Sequence, residues 1–189
     1  SGSGGFCMHP VETYSSTEST LYLISHLSSA GATYKLSTIT GTPAVPSLSI
    51  GATNTRTGGA WVAPGGNLAP QTCVSGAPPV FTCPGTLLNI DVGDAYPRGN
   101  AVFRNAAIWY SQTVGLPGGG MTHTGIQWTK VNTSGTFADG GRIEVATATS
   151  SNGEHWYTYP TLAVNASDDV LVGFTKTESD AYAGAAYAF

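Results

Sequence analysis

The chain has 189 residues, of which only 10% are charged, and a formal net charge of −4. Soluble proteins average ~25% charged residues, so Ser, Thr, Gly, Ala and Asn must carry this surface, a composition common in exported β-proteins. Seven thinly spread basic residues exclude nucleic-acid binding, which needs clustered Lys and Arg to displace counterions, and no stretch reaches the ~18 apolar residues of a spanning helix.

Residues 1–5 lack the basic and apolar regions of a signal peptide, and residues 1–19 read as an extension or linker. Residues 21–27 are apolar and β-prone. Residues 33–40 alternate, with Tyr34, Leu36, Thr38 and Thr40 on one side, until Gly41 and Pro43 break the run. A short third run covers 46–50. Residues 51–85 read as loop, and a loop that long signals function or a covalent staple. Within it, near 64–85, Cys73 and Cys83 flank a nine-residue stretch rich in Pro and Gly. Such a stretch can bring its ends to disulfide distance, and the bond would restrain the excursion by roughly 2–3 kcal/mol. The alternative is two free thiols. Cys7 is left over, either paired elsewhere or a free buried thiol.

The second half reads as strand after strand: 101–104, 107–114, 122–131, 142–146, 156–159, 161–164, 170–175 and 181–189. Turns fall at 105–106, 115–120, 132–135, 150–153 and 165–168. Over 122–131 the alternation puts Thr124, Ile126, Trp128 and Lys130 on one face. Nowhere does a 3.6-residue apolar stripe persist for three turns, so helix content should be very low. Short strands at 8–12-residue spacing fit a sandwich, barrel or propeller. Propeller blades repeat every ~40–50 residues, so the chain holds about four at most.

Residues 159–174 (YPTLAVNASDDVLVGF) follow the form Y-P-(S/T)-(hydrophobic)-A-V-N-x-x-(G/D)-D-V-L-I-G-F. In this the chain resembles the blades of bacterial exported sialidase-like β-propellers, many of unknown function. Ala69-Pro70-Gln71, Gly93-Asp94, Arg98, 107–109 and 126–128 are similar to the same group, so the likeness spans about residues 20–189. Residues 150–156 resemble its Asp-box turn, S-x-D-x-G-x-T-W, one residue short and with Asn152 in place of Asp. The resemblance implies an all-β domain over 20–189, built of about three to four antiparallel sheets as propeller blades. It also implies a hairpin over 162–174 buried on both faces. A complete propeller of this kind has six or so blades, so the chain resembles the C-terminal half of one. A protein partner or self-association would then complete it, because bare strand edges and an apolar flank are an aggregation hazard.

A sialidase-like catalyst needs converging arginines for a carboxylate, an acid/base carboxylic acid and a nucleophile pair. Arg56, Arg98, Arg104 and Arg142 are available, but no residue set reads as a complete catalytic site. The candidate ligand contacts are Trp61, placed in a Gly/Pro loop where it would be exposed, together with Asp94, Arg98 and Arg104. Trp109 and Trp128 lie in alternating strands and read as core. No resident cofactor is expected; Asp91 and Asp94, with Asp139 or with Asp168 and Asp169, could bind Ca²⁺ through oxygens. The four histidines are dispersed and no G-x-S-x-G elbow is present. The leading expectation is a secreted, extracellular or periplasmic module that binds a protein, a surface or a glycan without catalysis. The rivals are a fragment of a sialidase-like glycoside hydrolase and a subunit of an extracellular assembly.

Overall fold

The structure, a computed structural model, describes residues 6–28, 31–71, 89–145 and 155–189. Every regular element among them is a strand. A first antiparallel meander is formed by β1 (Phe6–Thr13), β2 (Leu21–His26), β3 (Thr33–Thr42) and β4 (Val45–Ser49), with the short β5 (Thr53–Thr55) also paired to β3. A two-stranded ribbon, β6 (Asn67–Ala69) and β7 (Ile90–Asp91), follows. The second meander is β8 (Ala101–Arg104), β9 (Ala107–Leu116), β10 (His123–Asn132) and β11 (Phe137–Ile143), and the third is β12 (Trp156–Val164), β13 (Val170–Glu178) and β14 (Ala181–Ala188).

Tight turns set these hairpins. Asn105 and Ala106 both have positive φ, as a two-residue turn that matches strand twist requires. At the β12–β13 turn the Asn165 side-chain oxygen accepts from Ser167 N at 2.8 Å and Asp169 N at 3.0 Å, an Asx arrangement that closes the loop locally. The two turns are stitched together across sheets: Asn105 Nδ2 donates to Ala166 O at 2.9 Å and to Asp168 Oδ1 at 2.8 Å.

The first two meanders join through a parallel β1–β8 pair, Val11 opposite Ala101, making one nine-stranded mixed sheet in the order β11-β10-β9-β8-β1-β2-β3-β4. Two expectations are corrected here. The large sheet is mixed rather than antiparallel throughout. Residues 6–13, assigned to an extension, form a strand whose Val11 is in the core. Among the described residues no sheet closes on itself.

The nine-stranded sheet bends at this seam, so that its two arms face each other across a core. That core holds Val11, Tyr22, Ile24, Tyr34 and Leu36 from one arm and Phe103, Ile108, Tyr110 and Val131 from the other. Tyr22 stacks on Phe103 at 5.2 Å. The opposite face of the second meander, with Val102, Trp109 and Ile126, packs on Leu162, Val164, Val172 and Phe174 of the third. Every residue of β9 is therefore buried, as a strand between two sheets must be.

The expected two-sided burial falls on β9 and not on the 162–174 hairpin. In β12, Leu162 and Val164 are buried while Thr161 and Ala163 are exposed, because nothing among the described residues covers their face. β12 also bulges between Thr158 and Thr161, with Tyr159 at φ 51°, which merges two expected strands into one.

Candidate functional site

The residues singled out from sequence do not converge. Trp61 is only 6% exposed and packs with Ala95, Val114 and Leu116, its ring 6.4 Å from that of His26. The expected exposed contact is thus a core residue: its Gly/Pro loop folds inward, and Val62 forms a bridge with Gly115 of β9. Arg104 sits 5.4 Å above the Tyr14 ring and lines a separate hollow of about 180 Å³ with Ser15 and Asn105.

Asp94 and Arg98 do share a cleft, of about 310 Å³, with Asp91, Tyr96, Thr113 and Tyr159. Arg98 Nε donates to Asp94 Oδ1 at 3.0 Å and Nη2 to Oδ2, a two-point fork on one turn of chain. Partial burial works to raise the Asp94 pKa, but the Arg98 hydrogen bond and the Tyr96 N–H outweigh it and hold the carboxyl below its ordinary value. The Arg98 guanidinium is therefore already engaged by a carboxylate of its own chain.

Tyr159 forms the wall of this cleft. Its hydroxyl donates to Asp91 O at 2.9 Å, and its N–H donates to Thr113 Oγ1 at 3.2 Å. The sequence placed Tyr159 at the end of the strand over 156–159 and at the head of the 159–174 motif, without a role in a cleft; the signal for that role was the pairing of a Tyr-Pro with a facing glycine. Gly93 has φ 72°, and a Cβ there would come within 3.2 Å of the Tyr159 ring. Gly93→Ala is expected to cost about 1–2 kcal/mol, from the left-handed backbone and from displacement of the ring. Thermal denaturation measures the loss, and the Tyr159 ring resonances should move with it.

The other two arginines, Arg56 buried and Arg142 half-buried, act together. Arg56, 5% exposed, donates from Nε to Thr129 Oγ1 at 3.1 Å and from Nη1 to the carbonyls of Thr57 and Gly58, both at 3.0 Å. Its Nη2 reaches Trp128 O at 3.3 Å and Gly141 O at 3.5 Å. Arg142 donates to Gln127 Oε1 at 3.2 Å and to the carbonyls of Gly59 and Ala60 at 2.9 and 3.1 Å. The pair clips the 56–60 segment onto β10 and β11. Between them, Tyr110 and Tyr34 surround His26. His26 Nε2 and the Tyr110 hydroxyl share a 3.0 Å hydrogen bond, and Tyr34 donates to Gly135 O at 2.9 Å. Burial pushes the Tyr34 hydroxyl up to about 12 and raises that of Tyr110 further, so both stay protonated donors.

Of the proposed calcium carboxylates, Asp168 is bound by Lys130 at 2.9 Å and Asp94 by Arg98. Asp169 accepts from Asn165 Nδ2 at 2.7 Å. No group of three potential metal ligands occurs among the described residues. Cys7 is a free, half-buried thiol. Cys73, Cys83 and residues 150–154 of the Asp-box-like turn lie outside the described residues. Trp109 is buried as expected, whereas Trp128 is only half-buried, at the mouth of a second cleft between the second and third meanders. Comparison with family models, curated proteins and solved structures finds no match to this chain.

Proposed function

We propose that the chain is a non-catalytic, exported binding and assembly module, its three meanders serving as blades of a β-propeller-like stack. The observation that carries this reading is the contrast between the second meander, covered on both faces, and its two neighbours, each covered on one. On the first meander, Leu21, Ile39 and Leu48 lie in register across β2, β3 and β4 on the uncovered face, with Leu21 42% and Leu48 55% exposed. On the third, Ala163 pairs with Leu171, and Gly173 lies between Thr161 and Tyr187; Tyr187 is 77% exposed. None of these residues is charged, although Lys35 shares the face of Ile39, and among the described residues β4 and β14 each pair with one strand only. Two such faces on one small module are an aggregation hazard unless another sheet, from a protein partner or from a second copy, lies against them.

Antiparallel meanders repeated with their faces stacked are the plan of propeller blades, and the low charge content supports an extracellular or periplasmic setting. The catalytic alternative, a piece of a sialidase-like glycoside hydrolase, draws no support from the arginines. Arg98 is held by Asp94, Arg56 and Arg142 are spent on carbonyls and amides, and Arg104 lies apart.

Native mass spectrometry and light scattering test the assembly. A species heavier than the 19.4 kDa chain, containing a second polypeptide or several copies, is expected, and Leu171→Asp or Leu48→Asp should dissociate it without unfolding the chain. A lone chain that stays monomeric on concentration, unaltered by either substitution, would overturn the reading.

A further inference from the structure

A second cleft opens where the second and third meanders diverge, between β10 and β11 on one side and β13 and β14 on the other. The sheets are in contact at their inner strands, and each twists along its length, so a wedge of about 460 Å³ remains toward the outer strands. This volume lies in the range of small-molecule sites, ~300–1,000 Å³. The third meander contributes small side chains there, Ala188 among them, with Phe189 at the rim.

The wall from the second meander is aromatic. Trp109 and Trp128 lie 6.2 Å apart with planes 26° from parallel. Trp128 reclines over Gly141, where a Cβ would fall 2.7 Å from its Nε1; any other residue there would push the indole off the strand. The polar groups are equally specific. Lys130 Nζ stands 4.4 Å above the Trp109 ring and 2.9 Å from Asp168 Oδ2. Asp139 lines the cleft as a second carboxylate, with no ion pair to it among the described residues. Trp109 is only 4% exposed, and its Nε1 is buried with no acceptor among the described residues, a donor for which burial is costly unless something binds it.

These features select a ligand class. A purely apolar ligand would desolvate Lys130 and both carboxylates with nothing in return, and would leave the buried indole N–H without an acceptor. A cation would find the favourable position over Trp109 already taken by Lys130. An acidic sugar would meet one ammonium and two carboxylates, a net repulsion. A neutral sugar ring has an apolar C–H face for the half-exposed Trp128 and a rim of hydroxyls for the charged groups. We infer that this cleft is a binding subsite for a neutral saccharide, with Trp128 as the stacking platform and Lys130, Asp139 and Asp168 as hydroxyl partners. It is built within one chain, so it stands whether or not the outer faces meet a partner.

The test follows the four indole N–H resonances in ¹H–¹⁵N spectra while maltotriose, cellotriose and chitotriose are titrated separately to millimolar concentration. At least one trisaccharide should move the Trp109 and Trp128 signals and leave those of Trp61 and Trp156 in place. Ala188→Leu, which fills the wedge from the opposite wall, should abolish the shifts while the remaining spectrum is retained. Asp139→Ala, at the rim and outside the core, should weaken binding roughly tenfold, as loss of a hydrogen bond to a charged group does. The inference is overturned if none of the three sugars moves those two signals, or if Ala188→Leu binds as well as the natural chain. It is equally overturned if N-acetylneuraminate or choline moves the signals at lower concentration than the trisaccharides do.

Discussion

Replacing Arg56 by alanine is expected to lower the stability of the fold by roughly 3–4 kcal/mol, a large part of the ~5–15 kcal/mol that holds a domain together. The Arg56 guanidinium is buried with no ion pair to a carboxylate among the described residues. Its charge is dispersed over one hydroxyl and four backbone carbonyls and over the Phe137 face at 5.6 Å. Removing it takes a donor from each of those acceptors in a site from which water is largely excluded. The damage should spread along the chain, because Arg56 and Arg142 together hold the segment that delivers Trp61 to its cluster. A fall of about 10 °C in Tm is expected for a domain of this size, and the tryptophan emission should shift to the red as Trp61 meets water. Arg56→Lys keeps the charge but has three donors on a point and no planar fork, so it should recover only part of the loss. An Arg56→Ala protein with unchanged Tm and emission would show that the 56–60 segment is held by other contacts.

Acid should destabilise the protein through His26. Burial pushes its pKa down to about 4, against a smaller opposing effect of the Gly31 backbone, while in the unfolded chain it is ~6.5. Between these two values the unfolded chain takes up a proton that the folded chain refuses. The stability due to neutral His26 is therefore complete above pH ~6.5 and is lost progressively as pH falls toward the folded value, by roughly 3 kcal/mol in all. The neighbours explain the refusal: Tyr110, Tyr34 and Trp61 enclose the ring, and Arg56 adds a like charge. Urea midpoints measured from about pH 7 to about pH 4 should fall more steeply for the natural chain than for His26→Gln, which cannot titrate. Parallel slopes for the two proteins would mean that His26 is solvated.

Much of the fold was legible. The runs at 21–27, 33–40, 107–114 and 122–131 predicted strands, and the alternation in 33–40 and 122–131 predicted which residues share a face, because a period of two needs only local chain geometry. The Asn105-Ala106 and 165–168 turns were legible for the same local reason. The strand expected over 142–146 lies instead at Phe137–Ile143. Its Gly140 and Gly141 lower strand propensity, yet they are required there, since a Cβ at either would collide with Trp128. Residues 6–13 read as an extension because a single half-polar strand has little pattern of its own, and β1 is fixed by pairing with β2 and β8.

The candidate sites were less legible. Asp94 and Arg98 were found together, since four residues of chain suffice to join them. Trp61 was misplaced, and Arg56, Arg142 and the two-tryptophan cleft were missed, because partners 70 to 85 residues apart in sequence, such as Arg56 with Trp128 and Gly141, leave no local trace. The sequence by itself determined an all-β chain, most of its strands, and a surface poor in charge, all consequences of side-chain period and turn chemistry. Only the tertiary structure decided which strand is buried on both faces, which arginines are spent inside the fold, and where two sheets part to leave a cleft. Those depend on how sheets stack and diverge, a long-range packing outcome that no run of neighbouring residues encodes.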